Sequence, residues 1–206
     1  MEGRLRAYIN QRAAVIRQLA RFFSYSFEHS LLRNMKFKKI PPSKKGIVNV
    51  IIETPRGSQN KFAYDPDVKC FKLNKTLPMG TVFPFDFGCI PNTKGEDGDP
   101  LDILVIMEEP AYPGILVECR LVGVLEANQT EEDGSTTRND RYVGVSECSV
   151  LYADIENVHQ LNKNMVKEIE NFFKDYNKHA GKKFTPIGWK GGEEAFKSID
   201  KKGDKD

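Results

Sequence analysis

Four acids, Glu96, Asp97, Asp99 and Asp102, crowd into the stretch Gly95 to Met107, which reads GEDGDPLDILVIM. Carboxylates this close repel one another, so protons or cations must offset their charge. Oxygen donors of this hardness select Mg²⁺, Mn²⁺ or Ca²⁺. Ile103 to Met107 has the β-branched, unbroken apolar character of a strand buried on both faces, and Gly98 and Pro100 make its approach a tight bend. In an extended segment Asp97 and Asp99 share a face, and a bend at Pro100 brings Asp102 towards them. The competing reading is a solvated acidic turn. An EF-hand loop is excluded: Glu108 falls at the twelfth position, but Leu101 and Asp102 stand where the third ligand and the turn glycine belong.

The elements that must position these acids come from a chain of 206 residues, enough for one domain with an appendage and for an adequate core. Its 31 basic and 29 acidic residues leave a net charge of +2, too near balance for a protein that coats nucleic acid. Cys70, Cys89, Cys119 and Cys148 form no C-x-x-C pair, which points to free thiols in a reducing, cytoplasmic setting rather than a zinc site or disulfide framework. No stretch approaches the roughly 20 apolar residues of a membrane span. With only His29, His159 and His179, and no G-x-S-x-G or P-loop pattern, catalysis must rest on carboxylates, basic groups and metals.

Residues 1–34 stand apart. Arg4, Arg6, Arg12, Arg17, Arg21 and Arg33 face only Glu2 and Glu28, and Leu5, Ile9, Ile16, Leu19 and Phe23 recur at helical spacing. The spacing predicts an amphipathic helical extension, which reads first as a helix packed on a neighbour or an upstream extension, Met35 offering a second beginning, and otherwise as a transit peptide or a membrane-surface helix. The domain proper is expected over 35–206. Its reading is a basic linker at 38–45, strands at 47–53, 61–64 and 71–73, and a packed Phe-rich loop over Val82 to Asn92 (VFPFDFGCIPN). The strand of the acidic mouth follows, then a long strand over 115–125 and a partner at 142–145 across a polar hairpin, QTEEDGSTTRND. The β part is expected to end near Ala153, with helices at 161–178 and about 193–199 completing it. Many short strands followed by helices make an α+β domain whose strands close into a small barrel.

Over roughly Ile47 to Lys201 the chain resembles the family I soluble inorganic pyrophosphatases. The resemblance rests on Asp97-Gly98-Asp99-Pro100-Leu101-Asp102, the family's D-x-D-P-x-D pattern, with Phe83-Pro-Phe-Asp-Phe-Gly88 upstream and Val122-Gly-Val-Leu125 downstream. It implies a small closed five-stranded OB-like β-barrel with flanking C-terminal helices, and assembly into dimers or hexamers. It also implies Mg²⁺-dependent hydrolysis of inorganic diphosphate to two phosphates, with Mn²⁺ or Co²⁺ as substitutes. By the same resemblance Asp97 and Asp102 are metal ligands, Glu53 an acid at the edge of the metal cluster, and Asp99 the carboxylate that handles the attacking water. Lys61 and Tyr176 match phosphate-binding groups. Lys75 and Arg141 keep the family's charges, though the planar fork and the point charge have changed places.

Phe83 and Phe87 stand where tyrosines are usual, Ala63 replaces a family Glu and Asn177 a family Lys, with Lys178 beside it. Gln129 and Asn139 lie nearest the places of two metal-binding aspartates. Glu131 and Asp140 can compensate if the strands slip or bulge. Three rival readings stay open: a hydrolase of another phosphoanhydride, a catalytically impaired scaffold, and an OB-type module for single-stranded nucleic acid. The acidic mouth argues against the last.

Overall fold

A computed structural model describes residues 37–202; the extension expected over 1–34 lies outside them. Within that range a 3-10 turn at Phe37–Lys39 leads into ten strands and two α-helices. The strands are β1 Ser43–Lys44, β2 Ile47–Thr54, β3 Asn60–Asp65, β4 Cys70–Thr76, β5 Asp86–Ile90, β6 Leu101–Ile106, β7 Leu116–Thr130, β8 Thr136–Arg138, β9 Arg141–Ser146 and β10 Lys183–Gly191. The helices are α1 Lys163–Lys178 and α2 Gly192–Lys202. The chain is thus mostly sheet with few helices, as the α+β reading expects.

Five strands close on themselves. β2 pairs with β5, β5 with β6, β6 with β9, β9 with β7, and β7 returns to β2. Only β6–β9 is parallel. β1, β8 and β10 add to the outside of this ring, and β3–β4 form a separate hairpin. The unbroken apolar run of β6 is explained by its place in the ring: Ile103 and Val105 join one core cluster, while Leu104 and Ile106 join the other. The first cluster draws on all five ring strands and is completed by Ala195 and Ile199 of α2. The second is joined by Ile169 and Phe173 of α1 and Phe184 of β10.

Four strands run where sequence periodicity gives none, the short β1 in the expected basic linker being the first. The expected Phe-rich loop contains β5, whose Gly88 lets two strands approach so closely that a Cβ there would lie 2.1 Å from the Ile51 carbonyl oxygen. The polar hairpin contains β8. The β part does not end near Ala153, because β10 returns after α1 to pair with β7 along nearly its whole length. Pro186 sits in β10 beside a register shift, the place where an edge strand tolerates a residue without an N–H. Asn162 caps α1 by accepting from the Asn164 N–H.

Candidate active site

The acidic loop is folded by its own backbone. Gly95 N–H donates to the Asp99 carbonyl at 2.7 Å, Gly98 N–H to the Gly95 carbonyl at 3.2 Å, and Asp99 N–H to Asp97 Oδ1 at 3.2 Å. Gly98 takes φ +89°, a conformation glycine adopts without steric cost. Asp97 and Asp99 are exposed, and Asp102 is half-buried on β6, in register with Cys89 of β5. Partial desolvation against the loop lifts the Asp97 carboxyl above its ordinary range, and the nearby Asp102 and Asp99 charges add to that lift.

Glu53 enters from β2, where the register with β5 shifts between Ile52 and Thr54. It is 8% exposed and accepts the Tyr64 N–H at 2.9 Å. Burial pushes its carboxyl up to about 7; Tyr64 and Lys61 oppose the rise, and Asp102 and Asp99 add to it. Thr54 fixes the neighbouring strand by accepting from the Phe62 N–H at 2.9 Å and donating to the Phe62 carbonyl at 3.1 Å.

Two lysines face these acids from the β3–β4 hairpin, where Lys61 and Lys75 are direct partners. Burial works against the Lys61 ammonium, but Asp102, Tyr176 and Glu53 more than offset it and hold its pKa above the ordinary lysine value. Lys61 Nζ lies 5.1 Å from the centre of the Phe87 ring, and Lys75 Nζ 4.0 Å from that of Tyr176. Tyr176 reaches there from α1, packed on Phe83 and Phe172. Phe87 and Tyr176 thus offer π-faces to the two cations. Asn177 is turned inward, donating to the Phe173 carbonyl at 2.8 Å, while Lys178 is exposed and Ala63 half-buried.

On the hairpin side the carboxylates have cationic partners. Arg141, only 4% exposed, is ion-paired to Asp102 at 2.8 Å and lies over the rings of Phe173 and Phe184. Arg138 binds Asp140 and Glu126, and Lys182 binds Glu131 at 2.9 Å. Lys182 and Gln129 hold the Glu131 carboxyl below its ordinary range. A water-sized cavity of about 10 Å³ remains between loop and hairpin, lined by Asp97, Asp102, Asn139 and Asp140 among others. The expected site residues thus fall into two groups. Glu53, Asp97, Asp99, Asp102 and Lys61 act on one another's charge, with Lys75 and Tyr176 beside Lys61, whereas Glu131 and Asp140 are engaged by Lys182 and Arg138. Sequence reasoning missed Cys89, Arg138 and Lys182; a strand hidden in a Phe-rich segment and partners distant in the chain left no local signal.

Among the described residues no three carboxylate, thiol or imidazole groups already converge at metal-ligating distance. The donor chemistry nevertheless fits a hard divalent cation: four carboxylates on one side of the site, two of them lifted in pKa by desolvation and by neighbouring acids, are the kind of oxygen set such an ion binds.

Comparisons with known proteins identify the family. A family model described as inorganic pyrophosphatase matches residues 50–205. The inorganic pyrophosphatase of Synechocystis sp. is 39% identical over 158 residues, spanning 76% of this chain and 90% of that protein. The crystal structure of inorganic pyrophosphatase from Thermus thermophilus superposes with a TM-score of 0.73 at 34% identity, covering 81% of this chain and 95% of the other. One from Neisseria gonorrhoeae gives 0.71 at 30% identity. With its acidic loop, lysine pair and ring of strands in this order, the chain belongs to the family I inorganic pyrophosphatases.

Proposed function

We propose that this chain hydrolyses inorganic diphosphate to two phosphates, activated by Mg²⁺ with Mn²⁺ or Co²⁺ as substitutes. The observation that carries the reading is that buried Glu53 accepts the Tyr64 N–H from the same hairpin that carries Lys61, with Asp102 and Glu53 both favouring the charged lysine: acids to hold cations and a lysine to hold phosphate, within one site. Asp97 and Asp102, with Glu53 and Asp99 beside them, would hold the metal. When bound, a divalent cation supplies charge cancellation on diphosphate and a lowered pKa for the attacking water. Asp99, exposed and fixed through its backbone to Asp97, would accept a proton from that water. Lys61, Lys75 and Tyr176 bind the phosphates and stabilise the leaving group; Arg141, buried against Asp102, contributes charge rather than contact.

The same reading takes the five-strand ring as an OB-like closed barrel, supported by a core cluster that all five strands share, and residues 35–206 as the catalytic domain behind an extension at 1–34. We also infer a cytoplasmic homo-oligomer, dimer or hexamer; its four cysteines are free, which suits a reducing compartment. No helix among the described residues is long and apolar enough to cross a membrane.

The test is phosphate release from diphosphate by the full chain, with and without Mg²⁺, and by Asp99→Asn. Turnover that requires the cation and falls by about 10²–10⁴-fold in the variant is expected of a lost general base. Folded protein that releases no phosphate with Mg²⁺, Mn²⁺ or Co²⁺ overturns the reading; triphosphate, assayed in parallel, identifies a hydrolase of a longer phosphoanhydride.

A further inference from the structure

Opposite the acidic loop a single run of polar contacts crosses the hairpin. Lys182 is ion-paired to Glu131 at 2.9 Å. Gln129 Nε2 donates to Glu131 Oε1 at 2.7 Å, and Asn139 Nδ2 donates to Gln129 Oε1 at 3.3 Å. Arg141 donates to Asn139 Oδ1 and is ion-paired to Asp102 Oδ2. The ends set the direction of the whole run. A carboxylate can only accept and a guanidinium can only donate, so neither amide can turn round without breaking a contact at one end.

This arrangement leaves the hairpin poor in anything a cation would bind. Both amide oxygens already accept a hydrogen bond and carry no formal charge, and the charge of Glu131 is matched by Lys182. Gln129 is 7% exposed and Asn139 half-buried, so the relay runs from the partly solvated Lys182–Glu131 pair inward to Arg141. Meanwhile the guanidinium of Arg141 occupies one oxygen of Asp102. Its Nε is the one buried side-chain polar atom among the described residues without a hydrogen-bond partner. A cation kept buried with one donor unsatisfied is being held by its other contacts, here Asp102, Asn139 and two aromatic faces.

We propose that Arg141 is a built-in cation of this site, standing on the hairpin side of Asp102 in place of a divalent ion, and that Gln129 and Asn139 are the positioning residues that keep it there. The proposal rests on the metal-dependent reading above. It makes the number of divalent ions bound a property of the relay: the acids of the loop and Glu53 hold cations, the hairpin holds none, and Arg141 competes with them for Asp102.

The experiment counts Mn²⁺ bound per full-length chain without substrate, by titration followed through the paramagnetic resonance of free Mn²⁺. The double variant Gln129→Asp/Asn139→Asp adds two carboxylates where the amides lie and is expected to bind one Mn²⁺ more than the parent. Arg141→Met removes the internal cation and is expected to bind Mn²⁺ at least tenfold more tightly; it decides alone if the double variant does not fold by circular dichroism. A parent that binds Mn²⁺ with the same count and affinity as its folded variants overturns the built-in cation and leaves the diphosphatase reading intact. A parent that binds no Mn²⁺ overturns the metal reading itself, and this proposal with it.

Discussion

Breaking the Asp102–Arg141 pair from its two ends should have unequal consequences. The arginine side chain is 5% exposed and the aspartate 24%, so Asp102→Asn strands a buried guanidinium, whereas Arg141→Met leaves a carboxylate that water can reach. Removing one partner of a buried pair costs about 3–5 kcal/mol. Water at Asp102 relieves part of that, and we expect about 2–4 kcal/mol for Asp102→Asn. At roughly 2–4 °C per kcal/mol for a chain of this length, Tm falls by about 4–16 °C. Arg141→Met, which exchanges a stranded charge for an apolar chain between Phe173 and Phe184, should cost about 1 kcal/mol or less. The double variant should be more stable than Asp102→Asn alone, giving a coupling of opposite sign to the larger loss. The assay is urea and thermal unfolding with chelator present, so that no metal contributes. Asp102→Asn within 0.5 kcal/mol of the parent, or equal losses from both ends, would refute the reasoning.

Other perturbations test other parts of the frame. Glu108 accepts the Val150 and Leu151 N–H groups, each at 2.7 Å, and the Ser149 hydroxyl at 3.0 Å; these bonds, that from Leu151 foremost, hold its carboxyl below the ordinary range. A depressed carboxylate pKa contributes stability at pH above the unfolded-state value and loses it as pH falls through the folded-state value. Glu108→Gln should therefore be less stable at neutral pH and converge with the parent in acid, as read by urea midpoints across pH. Gly88→Ala drives a methyl into the Ile51 carbonyl and should cost about 3 kcal/mol or more, seen as a lowered Tm. Tyr176→Leu removes the ring under Lys75; a cation–π contact of about 0.5–1 kcal/mol corresponds to a two- to fivefold rise in KM for diphosphate.

How much of this could be read from the chain depends on how local the cause is. The acidic mouth and β6 were legible because charge crowding, Gly98, Pro100 and a two-sided apolar run all fall within thirteen residues. The register of α1 was legible from its period. β10 was not: KFTPIGWKG carries a proline and two glycines, its Ile187 is exposed, and its pattern breaks at a shift in register. β5 was hidden because Gly88, which reads as a turn residue, is there for close strand approach. The hairpin's electrostatics were the least legible part. Glu131 and Asp140 look like spare metal ligands in sequence, and only folding brings Lys182, fifty-one residues on, against the first of them.

The ring also dictates an order of events during synthesis. β7 hydrogen-bonds to β2, β8, β9 and β10, and the circle closes only when β9 inserts in parallel beside β6. A nascent chain that has not released Ser146 from the ribosome therefore holds β2, β5 and β6 as an open sheet with unpaired edges. α1 and β10, which complete one core cluster, emerge later still. Contacts of such long sequence separation form slowly, so the half-made sheet is the species most exposed to aggregation on the way.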